Sequence, residues 1–275
     1  VVVSMGAAGS VGFHNGRAFR AKTPDIPAVN ATGSGDSTIA GFAHAIAAGA
    51  DDETVLRTAN TCGKLNAMGL VALEYSSANG TDLRVGLIPE ALFLGGAERC
   101  PVNGVMYDPN IPSEELFITP RAGEAEGIVY ATRPLAFQGV LIEDFWLRFA
   151  GGRVVELHAE KNEEMLKTIV SMDEGASYLG EVALVPYSSP INQLGYLFYN
   201  TLFDENAVCH LALGEGYTNT LRGFADMTRE ECTAAGINDS MIHEDFMIGA
   251  PDLSIVATLR DGTEKEIFKD GTWAF

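Results

Sequence analysis

The chain is 275 residues long, 47% hydrophobic and 20% charged, with a formal net charge of −19 at pH 7. This is the composition of a soluble globular protein long enough to bury one large core or two smaller ones. The acidic balance excludes a nucleic-acid partner, which calls for a basic face, and no apolar run reaches the roughly 18 residues of a membrane span.

Cys62, Cys100, Cys209 and Cys232 are scattered without a Cys-x-x-Cys pair, which predicts a reducing cytoplasm rather than a disulfide framework. Val1-Val2-Val3 lacks the flanks of a signal peptide, and the sequence begins without Met, as a fragment would. Charge is unevenly spread. Residues 1–70 balance Arg17, Arg20, Lys22, Arg57 and Lys64 against Asp25, Asp36, Asp51, Asp52 and Glu53, so the acidic excess falls in residues 71–275.

In chain order, Val1 to Ser4 reads as a buried strand, followed by Gly6, Gly9 and Gly12 and by a second strand around Arg17 to Ala21. Past Pro24 and Pro27 comes Thr32-Gly33-Ser34-Gly35-Asp36-Ser37, and behind it Ile39, Phe42, Ala43 and Ile46 repeat at helical spacing up to Gly49. A Gly-Ser-Gly at a helix start frees backbone N–H groups for an anion. Asp36 there is either a helix cap or a base.

With Ser4-Met5-Gly6-Ala7-Ala8-Gly9 upstream, this stretch resembles the C-terminal part of the ribokinase-like sugar kinases over about the first 63 residues. The resemblance implies an α/β fragment in which Gly33, Ser34 and Gly35 form the anion hole and Asp36 is the base. The sugar-binding half of that family precedes this motif, so phosphoryl transfer by this stretch alone is not expected.

From Lys64 the pattern changes. Leu73 to Tyr75 and Thr81 to Leu87 read as strands, Gly127 to Arg133 and Gly139 to Phe149 as further ones, and Gly151-Gly152 as a hairpin turn into Arg153 to His158. A helix is predicted from Asn162 to Met172, and Asp261-Gly262 and Asp270-Gly271 mark C-terminal hairpins. Glu114 and Glu115 follow a proline-held loop and by default are solvated; Glu181, against an apolar strand, is a cap or a ligand. Glu205 and His210 suit a turn leading into a helix that starts near Ala207. His243 and Asp245, two apart in an extended segment, present an imidazole and a carboxylate to one point with Glu244 facing away. That pair suits zinc, cobalt or manganese.

Taken together, Gly80-Thr81-Asp82-Leu83, Asn110-Ile111-Pro112-Ser113-Glu114-Glu115, Thr132-Arg133-Pro134-Leu135, Leu179-Gly180-Glu181-Val182, Phe203-Asp204-Glu205-Asn206-Ala207 with His210, and His243-Glu244-Asp245-Phe246 resemble the aminopeptidase T / aminopeptidase S family of dinuclear metallopeptidases over residues 64–275. The resemblance implies an α+β domain with a largely antiparallel sheet and two divalent ions, zinc, cobalt or magnesium. It places their ligands on Glu115, Glu181, Glu205, His210, His243 and Asp245 and an active-site tyrosine on Tyr217. The chemistry of a water between two ions makes a nearby carboxylate, Glu115 or Glu181, the candidate general base. The resemblance also implies a peptide substrate and admits a homodimer, while the charge and the lack of a long apolar run give the expectation of neither nucleic acid nor membrane as partner. Residues 1–63 and 64–275 are thus expected to be two pieces, meeting near Leu65-Asn66-Ala67. The sequence reads foremost as a metal-dependent aminopeptidase, next as a sugar kinase fragment, and last as an inactive join of two incomplete enzymes.

Overall fold

A computed structural model of the chain describes residues 61–95, 100, 102–105 and 113–275 in full, and elsewhere the backbone of five short strands. Gly33, Ser34, Gly35 and Asp36, with the helices expected behind them, lie outside the described residues. In chain order the strands are β1 (Val2–Ser4), β2 (Ser10–His14), β3 (Arg17–Ala21), β4 (Leu70–Ser76), β5 (Asp82–Leu87), β6 (Glu98–Arg99), β7 (Met106–Tyr107), β8 (Leu116–Ile118) and β9 (Pro120–Tyr130). They continue as β10 (Leu135–Phe137), β11 (Val140–Ala150), β12 (Arg153–Lys161), β13 (Leu179–Leu184), β14 (His210–Gly214), β15 (His243–Met247), β16 (Ser254–Leu259), β17 (Glu264–Lys269) and β18 (Thr272–Trp273).

Two compact units divide the chain, one made of residues 1–69, 93–116 and 275 and the other of 70–92 and 117–274. In the first, β1, β2 and β3 form an antiparallel sheet and β6 pairs with β7. Residues 61–68 are helical and bury Cys62, Leu65 and Met68. The Asn66 amide serves as a surrogate strand partner for Phe93, accepting from its N–H at 2.7 Å and donating to its carbonyl at 2.8 Å. Pairing both groups spares Phe93 the cost of burying them bare.

The second unit holds a nine-stranded sheet in the order β10-β11-β9-β5-β4-β16-β17-β18, with β12 also on β11. All its pairings are antiparallel, as expected for residues 64–275. The hairpin turns explain the connectivity. Gly151 and Gly152 have φ 57° and 81°, and Asp270 and Gly271 have φ 48° and 70°; two successive positive φ values give the turn whose twist matches that of the strands it joins. Ile255, Ala257 and Leu259 alternate inward along β16, so one face of that strand meets the core. The helix expected from Asn162 runs Glu163–Val170 and buries Leu166 and Ile169.

A smaller four-stranded sheet, β15-β14-β13-β8, carries the chemistry described below. Every residue of β13 and β14 is buried, so these strands are covered on both faces. Phe246 of β15 meets Phe145 of β11 at 5.9 Å between ring centroids, tying this sheet to the larger one. A tilted aromatic pair of this kind contributes about 0.5–1.5 kcal/mol beyond its buried area.

One expectation is overturned. No helix starts near Ala207: the helix Thr201–Glu205 ends there instead, and His210 opens β14. The physical reason is the run from Ala207 to Leu213, which is buried throughout. A buried run of that length, apolar except for His210, fits a central strand covered on both sides.

Candidate metal centre

Strand register assembles the centre. Glu181 of β13 and Asp245 of β15 both pair with Ala212 of β14, so the two carboxylates stand in one row separated by a methyl group. His243 and His210 lie two residues from members of that row, on β15 and β14, and alternation puts them on the same face. One ligand atom each from Glu181, His243 and Asp245 lies within 4.8 Å of the others. Glu181 and Asp245 are 3% and 6% exposed.

The two imidazoles are aimed by the main chain. His243 Nδ1 is 2.7 Å from the Glu215 carbonyl oxygen, and His210 Nδ1 is 3.1 Å from that of Val208. A ring that donates from Nδ1 to a carbonyl presents Nε2 to its other side, the usual orienting bond of a metal-binding histidine. His243 Nε2 accordingly faces Glu181 Oε2 at 3.1 Å and Asp245 Oδ2 at 3.5 Å, and His210 Nε2 lies 4.0 Å from Asp245 Oδ1.

The electrostatics call for a cation. Burial opposes charge on His243, yet its bonds to Asp245 and Glu181 and their negative charges raise it to about 11. Burial likewise raises Asp245, but His243 and His210 outweigh it and hold this carboxyl below its usual range. Asp245 Oδ1 is buried with no hydrogen bond of its own, an arrangement that costs free energy unless something occupies that lone pair. Carboxylate oxygens and imidazole nitrogens at this spacing fit a divalent transition ion.

Glu205, at the end of the helix Thr201–Glu205, is buried and its side chain interacts with Asp245. Tyr217, in the loop after β14, sets its hydroxyl 3.2 Å from His243 Nε2 with 4.7 Å between ring centroids. Glu181, Glu205, His210, His243, Asp245 and Tyr217 are thus neighbours within the second unit. Glu115 belongs to the first unit; it is buried immediately ahead of β8, and its N–H donates to Ser113 Oγ at 3.3 Å. The default of a solvated Glu115 does not hold, because the chain turns inward there to enter β8.

Sequence reasoning missed the parts that hold this face in place. Asn238 donates from Nδ2 to the carbonyls of Gly175 at 2.8 Å and Gly214 at 2.5 Å. Asp173 accepts from Ser240 Oγ and the N–H groups of Met241 and Ala176. The signal for Asp173 was the Asp-Glu-Gly-Ala-Ser turn it opens; the carbonyls of Val208 and Glu215 carry no signal at all.

A buried carboxylate–imidazole face on an antiparallel sheet defines a candidate metalloprotein, and comparison with known proteins gives its family. Residues 51–273 match the thermophilic metalloprotease (M29) family, and the chain belongs to that family. Aminopeptidase AmpS of Bacillus subtilis (strain 168) is 47% identical over 211 residues, 77% of this chain and 51% of that protein. The solved structure of wild-type AmpT from Thermus thermophilus aligns with a TM-score of 0.72 at 38% identity, covering 81% of this chain and 58% of that one. The chain therefore spans about half the length of the curated relatives it matches. Residues 1–68 match the pfkB family of carbohydrate kinases, and a tagatose-6-phosphate kinase of Staphylococcus epidermidis is 43% identical over 68 residues, 25% of this chain and 22% of that enzyme. The two matched ranges share residues 51–68.

Proposed function

We propose that residues 64–275 are the catalytic region of a metal-dependent aminopeptidase that releases N-terminal amino acids from peptides, preceded by a kinase-like piece over residues 1–63. The observation that supports this most directly is the convergence of Glu181, His243 and Asp245, whose ligand atoms lie within 4.8 Å of one another, with Asp245 Oδ1 buried and without a hydrogen bond. In this reading Glu181, Glu205, His210, His243 and Asp245 hold two divalent ions, zinc, cobalt or magnesium, and Glu115 is the sixth ligand on the strength of the family resemblance.

When bound, the ions would polarise the scissile carbonyl and acidify a water. The chain supplies everything else. Bonds to Glu215 and Val208 keep both imidazoles in the tautomer that offers Nε2. The carboxylate of Glu181 or Glu115 takes a proton from the attacking water and returns it to the departing amine. Tyr217, 41% exposed and therefore open to a substrate, donates its O–H to the peptide oxygen as charge gathers on it.

A cytoplasmic setting is supported by the scatter of Cys62, Cys100, Cys209 and Cys232 along the sequence, without the spacing of a disulfide framework. Among the described residues no helix is long and apolar enough to cross a membrane. A homodimer is supported by the exposed apolar stretch of Leu194, Tyr196, Phe198, Tyr199, Leu202 and Phe203, the kind of patch that marks an interface. Metal analysis of the purified chain, paired with hydrolysis of leucine anilide before and after chelation, tests the central claim. Absence of bound metal, or hydrolysis indifferent to the chelator, would overturn it.

A further inference from the structure

Tyr217 owes its position to a residue far away in sequence. It lies outside any ladder, with φ −79° and ψ 114° at the start of a short 3-10 turn, so strand pairing does not aim it. Thr119, fully buried in the link between β8 and β9, does. Its Oγ1 accepts from the Tyr217 N–H at 2.8 Å and donates to the Tyr217 carbonyl at 3.1 Å. One hydroxyl thus serves both polar backbone groups of one residue. Thr220 adds a second bond to the same carbonyl, from Oγ1 at 2.8 Å.

The contact continues on either side. Phe117, two residues before Thr119, sets its ring edge-on to that of Tyr217, 5.4 Å between centroids at 65°. At Gly216, next to Tyr217, an added Cβ would stand 2.7 Å from Thr119 Cγ2, so the two stretches approach more closely than any side chain at that position permits. Catalytic groups on loops need such support, because small displacements at a reacting centre lower the rate steeply.

We infer that Thr119 is a positioning residue, whose hydroxyl clamps the Tyr217 backbone and so sets the phenol against His243 over the metal-binding face. The inference deepens the aminopeptidase reading and rests on it for the role of Tyr217, but the clamp itself is independent of activity. Isosteric Thr119→Val keeps the packing and removes both bonds, whereas Thr119→Ser keeps both bonds.

The test begins with the metal-free chain carrying 13Cζ-tyrosine. Thr119→Val is expected to speed hydrogen exchange at the Tyr217 amide at least tenfold and to shift the Tyr217 resonance, while Thr119→Ser leaves both in place. Phe117→Leu, which removes only the ring contact, should shift the resonance without speeding the amide. In the metal-loaded chain Thr119→Val should lower kcat for leucine anilide about tenfold or more, with KM within about twofold and metal content unchanged. In a Tyr217→Phe background it should add nothing, since a positioning residue acts only through what it positions. An unperturbed Tyr217 amide and resonance in Thr119→Val would overturn the clamp, as would losses that add in the double variant. If the unsubstituted chain hydrolyses nothing, the aminopeptidase reading fails by itself, and the exchange and resonance measurements still decide the clamp.

Discussion

His243 donates from Nδ1 to the main-chain carbonyl of Glu215 at 2.7 Å and turns Nε2 toward Glu181, 3.1 Å away. A backbone group on one side and a buried carboxylate on the other leave the ring a single useful orientation. The imidazole thereby offers a lone pair to a metal ion or, without one, carries the proton that the surrounding carboxylates demand.

Replacing either partner of this face should strip the metal. With Glu181 and Asp245 side chains only 4% and 9% exposed, His243→Ala and Asp245→Ala each leave buried charge uncompensated, a loss of about 3–5 kcal/mol when one member of such a set is removed. Metal per chain, measured by mass spectrometry of the ions, should fall well below that of the parent. Unchanged metal in both variants would refute the assignment.

Ala212 separates Glu181 from Asp245 in the pairing register and is fully buried. Ala212→Leu should therefore push a side chain into the row of carboxylates, lowering stability by about 1–3 kcal/mol through overpacking and, under the proposed function, metal content with it. Urea unfolding and metal analysis read the two effects. A variant as stable and as metal-rich as the parent would mean that the row has room to spare.

Gly214 closes β14 opposite His243 at φ 100°, where a Cβ would run into the Ile242 carbonyl. Gly214→Ala should lose about 1–3 kcal/mol from backbone strain alone, and the displaced strand end should move His243 away from Glu181. Denaturant midpoints and the 15N resonances of the His243 ring would register both; an unchanged midpoint would show that the turn relaxes freely.

Away from the centre, His158 bonds Glu163 at 2.7 Å and Glu160 at 3.4 Å, which raises its pKa above the ordinary 6.5. A folded-state pKa above the unfolded one means that this contact favours the fold fully below about pH 6.5. The contribution disappears as pH rises through the folded value. An NMR titration should give His158 a pKa above 6.5, and Glu163→Gln should bring it down. A value unmoved by that substitution would contradict the pairing.

Chelation should also weaken the fold if the ions are part of it. Ligand linkage gives about 2.7 kcal/mol at a hundredfold excess of ion over its dissociation constant, so the Tm of the metal-loaded chain should drop on adding chelator and recover on adding zinc or cobalt. A Tm insensitive to both would argue against metal held by buried ligands.

Much of the second unit was legible because its signals are local. Asp270-Gly271 and Gly151-Gly152 specify their turns by chemistry, and the two-residue period places His243 and Asp245 on one face before any partner strand is known. Where the reading failed, at the helix expected from Ala207, turn preference was outweighed by burial of the whole run to Leu213. The supports of the centre were beyond reach for a different reason. A carbonyl such as that of Val208 is present at every position, and Thr119 looks like any buried hydroxyl until the chain brings Tyr217 to it. Of the kinase-like stretch, the motif itself lies outside the described residues.

Glu181, His210 and Asp245 sit on adjacent strands although long connections separate β13, β14 and β15 in sequence. Loop closure over such distances is slow, and contacts of this kind form only when the pairing around them is nearly complete. No short segment can therefore bring these side chains together early. Under the proposed function, ion capture becomes a late event in folding, and the rate at which a refolding chain takes up metal is a clock for the zipping of β13 and β15 onto β14.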